Sequence, residues 1–241
     1  MGTARAKRAA PLGRAPAPAA DGARAPDDRR RLRAVGTRER ILAAALESFA
    51  ELGFDGASTR AISDRAGVNQ GLITYHFASK LALWQAVVEQ LFGELRDAFT
   101  ERVRALEDAD PATQLRLLIR HYVRFAAQRP ELHRLMVQEG KHDGPRMQWL
   151  VDHHVRPLYE LSTGLIAAAQ AHGVAPKVPP VHLHYILIGA VAHLFVVAPE
   201  CRRLTGQDPL SPESIEAHAD AIVALLVGES APAASRKETR R

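Results

Sequence analysis

Five proline-bearing dipeptides divide this chain from residue 110 onward, and each stands where a helix can begin. They occur as Asp110-Pro111, Arg129-Pro130, Gly144-Pro145, Pro179-Pro180 and Ser211-Pro212. Proline lacks an N–H and has φ fixed near the helical value, so it fits the first turn of a helix and disrupts the interior. Between these starts, apolar residues recur at three- and four-residue spacing, and no stretch alternates with period two long enough for a strand. The second half is therefore expected to be a series of helices: from 110 to about 128, 130 to 140, 144 to 173, 180 to about 199, and 212 to 228. Pro157 falls inside the third of these and predicts a kink there.

The first half reads the same way with different punctuation. Ile41, Leu42, Ala45, Leu46, Phe49 and Leu52 form one apolar stripe, which Gly53 ends. Ser58, Asn69 and Ser79 are N-cap residues for a short helix to Gly67, another to about His76 and a long one to about Leu106. The expectation is an all-α protein of nine helices with no sheet.

Charge separates the ends from the body. Residues 1–36 carry a net charge of +6 and the remaining residues −1. The first 36 residues are mostly Ala, Arg, Pro and Gly, too poor in large apolar side chains to offset ordering entropy. They read as a disordered basic extension, either a passive solvated segment or an arm that adds non-specific phosphate affinity, and residues 229–241 read as a disordered tail. The single cysteine, Cys201, excludes a disulfide framework. The longest near-continuous apolar run, Tyr185 to Ala198, has 14 residues, which is short for a bilayer span. With no apolar leader at the start, the sequence reads as a cytoplasmic protein without a membrane segment.

Residues 58–77, STRAISDRAGVNQGLITYHF, carry the functional information. Two short helices joined by a glycine turn make a helix-turn-helix. Ile62, Ala66, Val68, Ile73 and Phe77 supply the inner face, and Gly67 supplies the turn, where φ is expected to be positive. Thr59, Arg60, Gln70, Thr74, Tyr75 and His76 are left pointing outward. Gly71, Leu72 and Tyr75 lie roughly opposite Ile73 and Phe77 at about 100° per residue.

Residues 37–84 resemble, without a gap, the N-terminal domain of TetR/AcrR-type transcriptional repressors. The resemblance is carried by Thr37-Arg38-Glu39-Arg40-Ile41-Leu42, Phe49-Ala50-Glu51-Leu52-Gly53-Phe54, Ala66-Gly67-Val68 and Tyr75-His76-Phe77-Ala78-Ser79-Lys80. It implies an all-α homodimer in which three N-terminal helices bind DNA. Residues 85–228 would form an effector pocket and the dimer interface. It also implies a repressor of a palindromic double-stranded operator, released by a small molecule. Ala61, Gln70, Leu72 and Thr74 depart from the family pattern, so the operator sequence is expected to differ from those of relatives with Lys at position 70.

Physical roles follow for the outward residues. Thr59, Arg60, Tyr75, His76 and Lys80 are candidates for phosphate contacts. Gln70 suits an adenine edge, Leu72 and Thr74 offer methyl contact to thymine, and Gly71 permits close backbone approach. Residues 37–84 are formally neutral, which leaves the basic extension to supply non-specific attraction.

The C-terminal half is less specific. Helices 180–198 and 212–227 carry more apolar surface than one neighbour can cover, so they are expected to form the dimer interface. Tyr122, Phe125, Trp149, His153, Tyr185 and His193 are candidate pocket residues. The histidines show no metal-ligand spacing, and no H-E-x-x-H occurs. Neither a metal nor a cofactor is expected. No nucleophile–base cluster or carboxylate pair suggests an enzyme.

Overall fold

The computed structural model describes residues 25–227, of which residues 25–34 are described as backbone only. Residues 1–24 and 228–241, which contain most of the expected basic extension and the tail, lie outside the described residues. The described residues contain no strand. They form α1 (Ala25–Gly56), α2 (Thr59–Ala66), α3 (Gln70–His76), α4 (Lys80–Ala105), α5 (Pro111–Gln128) and α6 (Pro130–Glu139), then α7 (Pro145–Leu150), a π-turn (Val151–Val155) and α8 (Arg156–Ala171). The last helices are α9 (Pro180–Val196), α10 (Ala198–Thr205) and α11 (Pro212–Leu226).

The expected caps form. Ser58 Oγ accepts from the Ala61 N–H at 3.1 Å, Asn69 Oδ1 from Gly71 at 2.8 Å, and Ser79 Oγ from Ala82 at 3.0 Å. Asp110 Oδ1 accepts from Ala112 and Thr113, and Ser211 Oγ from Ser214. Each satisfies an amide that the first helical turn leaves without a partner. Gly67 takes φ 63°, as the turn requires, and Gly53 takes φ 70°, breaking α1 before one last turn.

Three expectations need correction. Helix α1 reaches back to Ala25, so residues 25–36 are not the unstructured stretch that composition suggests. Pro26 and the acidic pair Asp27-Asp28 open that stretch, a helix-start signal that composition alone hides. The helix expected from 144 to 173 is a rod with a π-turn immediately before Pro157, whose missing N–H cannot bond the His153 carbonyl four residues earlier. Finally, the chain continues past Pro199 as α10. Proline sits in its first turn, α9 and α10 meet at a 69° bend, and Gly206 ends it at φ 72°. No single described helix is long and apolar enough to cross a membrane.

The packing lies within residues 38–227. A first core joins α1–α4 to parts of α5–α7 around Phe49, Trp84, Phe77, Leu91 and Leu150. A second joins α5, α8, α9 and α11 around Ile119, Val123, Ile166, Val191, Phe195 and Ile222. Tyr122 on α5 packs against both. At the rim of the second core, Arg124 donates to Glu216 at 2.6 and 2.7 Å, joining α5 to α11.

Candidate nucleic-acid interface

The α2–α3 pair is built as its sequence requires. Ile62, Ala66, Ile73 and Phe77 are buried, with α1 and Trp84 behind them. The N–H of Val68 donates to Ser63 O at 3.0 Å, closing the turn at Gly67. Arg65 of α2 pairs with Glu47 and Glu51 of α1 at 3.4 and 3.0 Å, tying the hairpin to the helix beneath.

The opposite face is open. Arg60, Gln70, Gly71, Leu72, Thr74 and Tyr75 are exposed, Tyr75 at 79%, while Thr59, His76 and Lys80 are half-buried. Gln70 Nε2 donates to Thr59 Oγ1 at 3.3 Å, which brings the start of α3 to the start of α2. The rings of Tyr75 and His76 meet edge to face at 5.1 Å. A Cβ on Gly71 would stand 3.2 Å from Asn69 Oδ1, so this glycine also leaves room for the cap of α3. Lys80 Nζ lies 4.6 Å from the centroid of the Phe54 ring. The nine DNA-facing candidates thus stand at exposed or half-buried positions of α2, α3 and the start of α4.

The six pocket candidates are not gathered in this way. Tyr185 is 66% exposed and His193 is exposed, both on the outer stripe of α9 with Val181. Their eight-residue spacing puts them on one helix face, and the inner face is taken by Leu183, His184, Val191 and Phe195. Neither residue lines the recess described below. His153 is exposed, stacked on Trp149 with its Nδ1 at 2.8 Å from the Trp149 carbonyl. Trp149 packs on Trp84, Phe125 is buried in the first core, and Tyr122 shares a 2.8 Å hydrogen bond with His133 Nε2. A recess of about 290 Å³ opens elsewhere, between the end of α4, the start of α5 and α8, lined by Val103, Leu106, Gln114, Leu118 and Leu165 among others.

Residues 41–87 match the family model described as bacterial regulatory proteins, tetR family. Residues 111–226 match that of the tetracyclin repressor-like C-terminal domain. This chain belongs to the TetR family. Among its relatives, the transcriptional regulator RutR of Escherichia coli K12 is 28% identical over 179 residues, covering 73% of this chain and 82% of RutR. The transcriptional repressor NicS of Pseudomonas putida is 28% identical over 163 residues, covering 66% of this chain and 75% of NicS. The fold is that of HlyIIR, a hemolysin II transcriptional regulator (TM-score 0.61, 20% identity, 81% of this chain and 99% of that one). It is also that of AibR solved with isovaleryl coenzyme A and operator DNA (TM-score 0.60, 18% identity, 79% and 97%).

As a TetR-family member, the protein is a DNA-binding transcriptional regulator, and the relatives it matches are regulators rather than enzymes. The structure adds residues that the sequence does not single out. Arg146 donates through Nε to Glu139 Oε2 at 2.6 Å, and its guanidinium lies 4.2 Å from the centroid of the Phe54 ring that also meets Lys80. Glu139 and Arg146 are far from the helix-turn-helix in sequence, and no local pattern distinguishes them.

Proposed function

We propose that the protein is a cytoplasmic homodimeric repressor that binds a palindromic operator and leaves it when a small molecule binds its C-terminal half. The observation that carries this reading is the outer face of α3. Gln70, Leu72, Thr74 and Tyr75 stand exposed on a short helix whose opposite face is locked into an aromatic core. A reading helix needs this division, because its outer side chains must enter a groove without loosening the fold. Gln70 and its neighbours read bases, whereas Thr59, Arg60, His76 and Lys80 hold phosphates. The net +6 of residues 1–36 adds sequence-independent attraction.

The dimer rests on α9 and α11. Val181, Tyr185 and Ile186 are exposed on α9, as is Leu225 on α11. A second copy would cover this apolar surface through a two-fold four-helix contact. The effector reading is supported by AibR, a protein of the same fold solved with both isovaleryl coenzyme A and operator DNA. In this chain, Tyr122, Phe125, Trp149, His153, Tyr185 and His193 are the pocket candidates.

A gel shift with DNA flanking the protein's own gene tests the reading. A retarded band competed by the same fragment but not by random DNA is expected. No retardation at micromolar protein and low salt would sink it. Light scattering should give a dimer mass, and a stable monomer at micromolar concentration would remove the palindrome.

A further inference from the structure

Lys80 is the first residue of α4, where the helix dipole disfavours a cation. Among the described residues no carboxylate pairs with it. Its ammonium rests instead on the Phe54 ring. A carboxylate would have neutralised the charge and competed with a phosphate for it. An aromatic face fixes the position of an ammonium while leaving its full charge available.

The same ring meets a second cation, Arg146. Two positive groups on one ring repel each other, but Glu139 offsets this by pairing with Arg146 at 2.6 Å. Glu139 is only 2% exposed, so the pair is tightly constrained, because a buried carboxylate without its partner is costly. Phe54 is held from other sides as well. Phe49 stacks on it at 6.0 Å, and Trp84 meets it edge-on at 6.3 Å. The end of α6 rests beside it, with Gln138 Nε2 donating to the Glu51 carbonyl at 3.4 Å and the Gln138 stem facing Gly53.

We infer that Glu139, Arg146 and Phe54 are positioning residues for Lys80, forming a column from α6 to the DNA face that holds the ammonium ready for a backbone phosphate. This rests on the reading of Lys80 as a phosphate-binding residue. Phe54 supplies the platform, Arg146 fixes the ring, and Glu139 keeps Arg146 from displacing Lys80.

The test uses the full chain and a fluorescent random-sequence 30-base-pair duplex, with affinity measured by anisotropy across a salt series. Lys80→Ala should weaken binding and flatten the salt dependence by about 0.9 for each phosphate it no longer neutralises. Phe54→Leu keeps apolar bulk and the charge count, yet should weaken binding about three-fold and flatten the slope in the same direction. Arg146→Met should act likewise, and Phe54→Tyr should restore the parent behaviour. In a Lys80→Ala background, Phe54→Leu and Arg146→Met should have no further effect. Equal losses with and without Lys80 would overturn the column, because those residues would then act only through the fold. An unchanged affinity and slope for Lys80→Ala alone would overturn the phosphate role and the column together, leaving DNA binding itself to the gel shift. If circular dichroism shows that Phe54→Leu does not fold, the Arg146→Met and Glu139→Gln arms decide the matter.

Discussion

The two cores of this protein are finished to different degrees. The first is aromatic and closed: Phe49, Trp84 and Phe77 are buried, and what the α2–α3 pair leaves outside is polar or suited to a groove. The second is built mainly from Ala, Val, Ile and Leu, and it stops short of covering its own helices. Tyr185 and Ile186 stand out on α9, and Leu225 is 78% exposed on α11. A module that must present a fixed surface to DNA needs a core complete within one chain. A module that assembles with a copy of itself can leave apolar surface to be covered by association.

The difference can be broken most severely from the aromatic side. Trp84→Ala should cost about 3–5 kcal/mol, because the cavity opens in the first core beside Phe54 and Trp149. Thermal melting should show the loss, and DNA binding should fall with it. A cost below about 1 kcal/mol would mean the aromatic core is not what holds that unit.

The next largest effect lies between the cores, at His133. Burial pushes its pKa down to about 4, and it shares a hydrogen bond with Tyr122, which touches both cores. In the unfolded chain the imidazole titrates near its ordinary value, about 6.5. The unfolded state therefore takes up the proton first. The stabilisation is complete above about pH 6.5 and is lost as pH falls from there towards 4, by on the order of 3 kcal/mol. Urea titrations between about pH 4 and 7 should show this slope, and His133→Gln should flatten it.

Ile186→Asp tests whether the second core is unfinished. It should raise the dimer dissociation constant about 100-fold, roughly 2.7 kcal/mol, while the helical signal of the dissociated chain is kept. Ultracentrifugation reads the first and circular dichroism the second. An unchanged dimer would place the interface elsewhere. The smallest effect is expected from Ile222→Val inside the second core, about 0.5–1.5 kcal/mol in thermal stability with DNA affinity unchanged.

Legibility in the sequence follows the range of the forces. Ser58, Asn69, Ser79, Asp110 and Ser211 each satisfy an amide two or three residues away, so the helix starts can be read directly. Gly67 is legible because only a left-handed residue closes so short a turn. The outward set on α2 and α3 follows from the periodicity of Ile62, Ile73 and Phe77. That Tyr185 and His193 stand on the outer face of α9 is not legible from pattern alone, because a helix that is apolar nearly all round does not announce which face turns inward. Helix α10 escapes a pattern search because it is short and largely exposed. The Glu139–Arg146–Phe54 column is out of reach for a different reason. Phe54 meets Arg146 only through tertiary packing, which leaves no mark on the residues beside either one.

The π-turn at Val151–Val155 gives the α7–α8 rod a phase as well as a length. Upstream it delivers Leu150 to the first core; downstream it delivers Ile166 and Ala169 to the second. Each residue of an α-helix advances the azimuth by about 100°. The turn holds one residue more than α spacing would allow, next to a proline that cannot close the ordinary bond. Removing a single residue from the α-helical stretch between 157 and 165 would barely shorten the rod. It would rotate everything after it by more than a quarter turn, swinging Ile166 and Ala169 away from the helices they pack against, whereas a residue lost from 151–155 would be taken up as the π-turn closes to α spacing. The π-turn is the stretch of this rod with a residue to spare, and the α-helical remainder sets the angle between what it delivers to the first core and what it delivers to the second.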